Sequence, residues 1–371
     1  LKAEMAHFGS ICVETAYECK TPAGGALAVD REGFAKGVTE AIQNNPLVTI
    51  VNEEVTDLDS LDGYVIVASG PLTSDALFAN IQVKISEGYL HFFDAAAPIV
   101  DADSINYDLV YRASRYDKGG ADYLNCPFYT KEEYLAFYEA LKSAETAPVK
   151  DFEHKVFEAC MPIEEMALRG EDTMRFGPLK PVGLVDPRVG KEAYAVVQLR
   201  QDNAAASLFN LVGFQTHLKW GEQKRVFGMI PGLENAEFVR YGVMHKNTYM
   251  NSPKLLNKDF SLRKDPRFYF AGQMTGVEGY VESAASGLMA GLACARKILG
   301  EELAEFPAET AHGSLANYVS NPEVEHFQPM NINFGLIPPL AVRIRKKKEK
   351  NPLIAARALE KLGEFKENYH I

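Results

Sequence analysis

Backbone groups, more than side chains, carry the first chemical signal. The run Gly272-Gln273-Met274-Thr275-Gly276-Val277-Glu278-Gly279 follows the apolar stretch Phe268-Tyr269-Phe270-Ala271. It leads into a segment in which Ser283, Ala284, Ala285, Ser286, Gly287, Ala290, Gly291 and Ala293 are small. A strand that turns through glycines into a helix offers free N–H groups and the positive end of a helix dipole, which suit a phosphate or an electron-rich ring edge. Small residues through three turns also serve plain packing of a helix on a sheet. A second glycine turn, Ser69-Gly70-Pro71, ends the apolar run from Tyr64 to Ala68. Carboxyl ends of parallel strands are where doubly wound sheets hold ligands. Gly70, Gly272, Gln273, Met274, Gly276, Glu278, Gly279, Tyr280 and Ser283 are therefore candidate cofactor contacts, although no Gly-x-Gly-x-x-Gly fingerprint opens a βαβ unit.

Thiols and cations supply the remaining chemistry. The five cysteines, Cys12, Cys19, Cys126, Cys160 and Cys294, are odd in number and contain no Cys-x-x-Cys pair, which argues against a disulfide framework and a zinc cage. No metal site is expected, and a special cysteine would act as a lone thiol. The net charge of -11 repels a polyanion on average, so a nucleic acid would need a local basic surface. Arg343-Ile344-Arg345-Lys346-Lys347-Lys348-Glu349-Lys350 puts six positive charges in eight residues. It is the obvious place for a phosphate backbone, and its alternative is a solvated face.

These residues need elements to position them. Phe34, Val38, Ala41 and Ile42 recur at helical spacing between Asp30, placed to cap, and Asn44. Val48 to Val51 and Tyr64 to Ala68 read as buried parallel strands. From about Ile81 the texture changes. Thr130-Lys131-Glu132-Glu133 is a capping box ahead of Tyr134, Phe137, Tyr138 and Leu141 on one face. Strand-like runs follow from Tyr194 to Leu199 and from Phe209 to Gly213, so the middle reads as a mixed α+β insertion in an α/β fold. A final amphipathic helix carries Leu353, Ile354, Leu359, Leu362 and Phe365. With 371 residues, 47% of them hydrophobic, about two domains are expected. No apolar run approaches the ~18 residues that span a bilayer and no signal peptide opens the chain, so a cytoplasmic protein is expected.

Six stretches, in order along nearly the whole chain, make the sequence more specific. They are 22–31 (Pro-Ala-Gly-Gly-Ala-Leu-Ala-Val-Asp-Arg), 114–119 (Ser-Arg-Tyr-Asp-Lys-Gly), 123–127 (Tyr-Leu-Asn-Cys-Pro), 214–220 (Phe-Gln-Thr-His-Leu-Lys-Trp), 240–245 (Arg-Tyr-Gly-Val-Met-His) and 270–280. With them the chain resembles the folate- and FAD-dependent tRNA (uracil-5-)-methyltransferase family, TrmFO, a sibling of the GidA-type flavoproteins. The resemblance implies a GidA-type FAD-binding Rossmann-like domain over 1–84 and 251–300, interrupted by an insertion domain over 85–250. A basic helical tail, 301–371, follows. It also implies that the one-carbon unit of methylenetetrahydrofolate passes through reduced FAD to carbon 5 of the T-loop uridine of tRNA, with NADH or NADPH as outside reductant.

The same resemblance assigns residues. Cys160, in Phe157-Glu158-Ala159-Cys160-Met161-Pro162, matches a functional cysteine of the family, with Ala159 where glycine is expected. Its thiolate would add to carbon 6 of uracil or take the proton from carbon 5. Cys126 stays open between function and packing. His217 and His245 could stack on or hydrogen-bond folate or base, or be packed histidines. Arg115 and Lys118 are candidates for phosphate or folate glutamate, with a surface salt bridge as the alternative. A side chain at Gly279 is expected to occupy space that the flavin edge needs. The family opens with a strand, a Gly-x-Gly-x-x-Gly turn and a helix, absent ahead of Leu1, so weak FAD retention is expected. A non-catalytic tRNA-binding remnant and a GidA-like modifier of the wobble uridine are the rival readings.

Overall fold

The computed structural model describes residues 1–70, 73–85, 90–118, 120–147, 161–324, 327–342, 344 and 346–371, with backbone alone at 90–96 and 243–248. Two compact units emerge. One gathers Leu1–Glu14, Leu47–His91 and Asn247–Ile371; the other gathers Thr15–Pro46 and Phe92–Lys246. By contact, residues 15–46 group with the central unit, where the sequence reading set them with the nucleotide-binding domain. The C-terminal tail groups with the unit that holds both glycine turns.

In the unit formed from the chain's two ends, strands Val65–Val67 and Phe268–Phe270 pair in parallel, with Val65 opposite Phe268 and Val67 opposite Phe270. Phe268 and Phe270 are fully buried. Arg267, just before the second strand, locks the register by donating to the carbonyls of Leu61 at 2.6 Å and Gly63 at 3.2 Å. Residues Val48 to Val51 form no strand and are exposed, a correction to the expected third strand. β-branched residues favour extended backbone, but a strand needs a neighbour's N–H and C=O groups. Among the described residues this small sheet has only two members.

Helix Tyr280–Leu299 follows and buries Ala285, Ser286, Met289, Ala290, Ala293 and Cys294 on one face; Gly300 ends it in the left-handed conformation. Helix Ala311–Ser320 is capped by Thr310, whose hydroxyl accepts from the Gly313 N–H. The last helix, Lys347–Tyr369, buries Ile354, Ala358, Leu362 and Phe365, and Phe365 stacks on Phe306 at 4.6 Å. Leu353 points away and is half exposed. The tail is thus a packed element of its unit. No described helix is long and apolar enough to cross a membrane.

The central unit is built on a six-stranded antiparallel sheet. Its strand order is Phe238–Arg240, Ile99–Asp101, Leu208–Leu211, Ala195–Gln201, Tyr123–Phe128, Tyr111–Arg112. Alternating residues of these strands meet helix Lys131–Lys142, whose Tyr134, Phe137, Tyr138 and Leu141 are buried and whose capping box at Thr130 and Glu133 forms. Burying each such aromatic contributes about 1.5–3 kcal/mol. Strands 90–96 and 243–249 form a separate two-stranded ribbon.

Asp30 caps helix Arg31–Gln43 by accepting from the Gly33 N–H at 2.7 Å, and its other oxygen accepts from the Ala204 N–H at 2.9 Å. These hydrogen bonds hold its carboxyl below the usual range. The stability they supply is therefore complete above the unfolded value of about pH 4 and drains away as pH falls through the lower folded value. Asp30→Asn should flatten this part of the acid limb of the stability profile, read by denaturant melts at successive pH values. An acid limb identical to wild type would show that the cap is not felt.

Candidate cofactor and substrate sites

The parallel pairing sets two glycine turns side by side. Gly70 (φ +72°) follows the first strand and Gly272 (φ +78°, ψ −163°) follows the second, with the Ala271 N–H donating to Val67 O at 3.0 Å between them. The Gly272 conformation is one that glycine alone adopts readily. A Cβ built on Gly70 or Gly272 would meet no atom within 4 Å, so both turns present bare backbone to open space. Behind them, the Gly272 N–H donates to Ser286 Oγ at 2.7 Å, and that hydroxyl donates to Ser283 O. Thr275 Oγ1 donates back to Gly272 O at 2.8 Å.

From there the loop is tied down. Val277 bridges Met330, the Asn331 side chain donates to Glu278 O at 2.7 Å, and Gln273 Nε2 donates to the Glu278 carboxylate at 3.2 Å. Met274 turns its side chain into the core, so only its backbone borders the turn. Ser283 is half-buried and Tyr280 is 97% exposed at the rim. Gly276 and Gly279 differ from the two open glycines. A Cβ at Gly276 would collide with the Phe327 ring, and one at Gly279 would collide with the Glu282 carboxylate and lie 2.8 Å from Asn331 Nδ2. Glycine at 279 is required by the protein's own backbone, whose φ of +106° L side chains rarely adopt, with the Glu282 and Asn331 side-chain ends crowding the same space. Burial raises the Glu282 carboxyl, against the lowering effect of its own N–H and that of Ile332. Open backbone at two adjacent strand ends, backed by a seryl lattice, fits a flat dinucleotide cofactor such as FAD. Ser286 and Asn331, not among the expected contacts, hold this loop; only the run of small residues hinted at Ser286.

Arg115, Lys118, Cys126, His217 and His245 belong to the central unit, and the tail cations to the other. Arg115 and Lys118 share one turn, in which Tyr116 and Asp117 take φ +56° and +53°. Tyr116 is held there by Gly183, whose carbonyl accepts the Tyr116 N–H and whose missing side chain leaves room for the ring. Arg115 donates to Val182 O at 2.5 Å and to Gln198 Oε1 at 3.4 Å, and burial lowers its pKa. Its guanidinium is thus a brace in this structure, whereas Lys118 is exposed. His217 is buried, and its backbone N–H donates to the Glu164 carboxylate at 2.6 Å. Glu164 also accepts from Thr216 and is raised by burial. His245 lies on strand Val243–Tyr249 with its side chain outside the described residues. Cys160, Arg343 and Arg345 also lie outside them. Cys126 resolves toward packing: it is fully buried in a central strand, and burial pushes its thiol far up. Lys346 stands at the N-cap position of the final helix without a side-chain capping bond, and Lys347 and Lys348 are exposed in its first turn.

These glycines make opposite forecasts. Gly279→Ala should destabilise the cofactor-free protein by about 1–3 kcal/mol, from positive-φ strain plus the collision. Gly291→Ala, in the interior of the same helix with nothing within 4 Å, should stabilise it by about 0.5–1 kcal/mol. Denaturant titration of the two variants checks this, and equal effects would refute the assignment.

Comparison with known proteins agrees with this geometry. Residues 1–302 match the family model GIDA, glucose inhibited division protein A. The chain is 58% identical over 371 residues to a protein of Brevibacillus brevis, covering 100% of this chain and 84% of that protein. It is 61% identical over 362 residues to one of Enterococcus faecalis (97% and 82%), and 58% over 361 residues to one of Bacillus subtilis (97% and 82%). All three are named methylenetetrahydrofolate–tRNA-(uracil-5-)-methyltransferase TrmFO. Among solved structures, GidA of Aquifex aeolicus superposes with a TM-score of 0.60 at 16% identity, covering 79% of this chain and 52% of that one. The fold is therefore that of GidA, and the chain belongs to the GidA family, in its methylenetetrahydrofolate–tRNA-(uracil-5-)-methyltransferase branch.

Proposed function

We propose that this protein transfers the one-carbon unit of methylenetetrahydrofolate to carbon 5 of the T-loop uridine of tRNA, with FAD as cofactor and NADH or NADPH as reductant. The observation that carries the reading is identity of 58–61% across 97–100% of the chain to proteins named for this transfer. FAD, when bound, supplies the redox and one-carbon relay chemistry. Gly70 and Gly272 give it bare backbone to lie on. Gln273, Gly276, Glu278, Gly279 and the Met274 backbone shape the loop beside it, while Tyr280 and Ser283 form the rim. Folate and base contacts fall to Lys118, Arg115, His217 and His245.

Uracil carbon 5 is a poor nucleophile until a thiolate bonds to carbon 6 and opens the 5,6 double bond. The proton at carbon 5 must later leave as the sulfur departs. Cys160 is assigned to this work, either as the adding thiolate or as the base at carbon 5. The tRNA backbone is assigned to Arg343, Arg345, Lys346, Lys347 and Lys348. Of these, Lys346 pairs with Glu349 at 3.2 Å, an exposed pair that contributes little and is easily exchanged for phosphate. A tRNA substrate supports a cytoplasmic location.

The test supplies methylenetetrahydrofolate labelled in its methylene carbon, FAD, NADH or NADPH, and tRNA transcripts with or without the T-loop uridine. Label should enter only the transcript that has it. Transfer from S-adenosylmethionine, or modification of a wobble uridine, would overturn the reading. Cys160→Ala should abolish transfer while melting temperature and flavin absorbance stay as in wild type, and near-normal turnover would remove Cys160 from the mechanism. Neutralising the five tail cations should weaken tRNA binding and flatten its dependence on log salt by nearly one unit of slope per lost phosphate contact. An unchanged slope would return the tail to a solvated face.

A further inference from the structure

The chain's single tryptophan is not where a protein of this composition would be expected to spend it. Trp220 opens helix Trp220–Phe227 in the central unit and is 64% exposed, even though one face of its indole is covered. The covering group is Tyr241, nearly parallel at 11° with ring centroids 5.5 Å apart. Tyr241 in turn lies on Phe238 at 5.4 Å and 15°. Phe238 meets the fully buried Phe227, which packs edge-on against Phe214 in the core. The result is a column of near-parallel rings rooted in the core and ending in an open indole face.

The column is held rigidly. Gln223, fully buried one turn along the same helix, accepts the Gly242 N–H at 2.7 Å and donates to Gly242 O at 2.9 Å and to Leu218 O at 2.7 Å. That reciprocal pair fastens the backbone beside Tyr241 to the helix that carries Trp220. Cations flank the column in the chain: Lys219 precedes Trp220, Lys224 and Arg225 are exposed on its helix, and Arg240 precedes Tyr241. Lys219 and Arg225 are shared with Glu145 and Glu222, and the Arg240 Nε is buried without a hydrogen-bond partner. An exposed, preorganised aromatic face beside positive charge is the arrangement that proteins use to stack an unpaired nucleobase while holding its phosphate.

We propose that Trp220, backed by Tyr241 and Phe238, is a stacking platform for an unpaired base of the tRNA, a proposal that rests on the tRNA reading above. Because Trp220 is the only tryptophan, its emission reports the contact directly. An unmodified tRNA transcript should quench that emission on binding, whereas inorganic polyphosphate, which has charge and no bases, should not. Trp220→Ala and Trp220→Leu should raise the KM for tRNA by about five- to a hundredfold with the KM for methylenetetrahydrofolate unchanged, and Trp220→Phe should recover most of the loss. Thermal melting of each variant separates this from a packing defect, since Leu keeps the apolar bulk but lacks the ring face. Binding of tRNA by wild type without quenching, or Leu as good as Phe, would overturn the platform alone. Quenching by tetrahydrofolate but not by tRNA would reassign it to the pterin and overturn it likewise. Failure of wild type to bind tRNA at all would instead bring down the functional reading, and the platform with it.

Discussion

One parallel contact, Val65–Val67 against Phe268–Phe270, underlies the site. Parallel strands cannot be joined by a tight turn, so everything between them must leave the sheet and return. Here the excursion contains nearly the whole antiparallel unit. Only this pairing lets two turns from distant parts of the chain, Gly70 and Gly272, end on the same edge with their backbones bare. Arg267 secures it from one side through the carbonyls of Leu61 and Gly63, and Lys84 lies over the Phe268 ring at 3.9 Å. A one-residue slip would turn Phe268 and Phe270 out of the core and separate the turns.

Two buried polar groups of the central unit, Asn125 and Asp186, are well partnered. Asn125, completely buried, donates to the carbonyls of Tyr111, Ala113 and Tyr123 and accepts from Gln198, which meets Arg115 in turn. Asp186 is buried as well; burial would raise its carboxyl, but Arg188 and Tyr129 hydrogen-bond it and bring it below the usual range. Such groups are costly when left unmade and specific when complete. They brace the edge turn at 115–118 and strand 195–201 alongside the apolar packing of Ala195, Val197 and Leu199.

Local chemistry was legible in the sequence and distant pairing was not. The Asp30 and Thr130 caps, the helix over 280–299 and the glycine turns each depend on neighbours within a few residues, and their patterns are visible by eye. Val48 to Val51 has the composition of a strand, yet strand formation needs a partner that composition cannot supply. Cys126 stayed open because its seat in the third dimension, facing the core of a six-stranded sheet, decides its chemistry. Gln223 and Glu164 carry no signal in the sequence for the same reason: each looks like an ordinary polar residue until the backbone it serves is brought to it. Arg115 shows the converse: its charge is visible in the sequence, whereas its hydrogen bonds to Val182 and Gln198 are not.

Glu4 carries a consequence for how the chain comes into being. Buried near its start, it accepts the N–H groups of Ala311 and His312 and the Nδ1 of His312, so one carboxylate ties the first helix to the head of a helix 307 residues downstream. Burial works against the Glu4 charge, but these contacts outweigh it and hold its carboxyl below the usual range. During synthesis that carboxylate must wait for these partners until the ribosome has delivered Ala311 and His312. The antiparallel unit draws on residues 15–46 and 92–246 and is complete long before then. Vectorial synthesis thus imposes an order: the inserted unit can fold first, and the unit that surrounds it in sequence closes last, in a slow step of long loop closure.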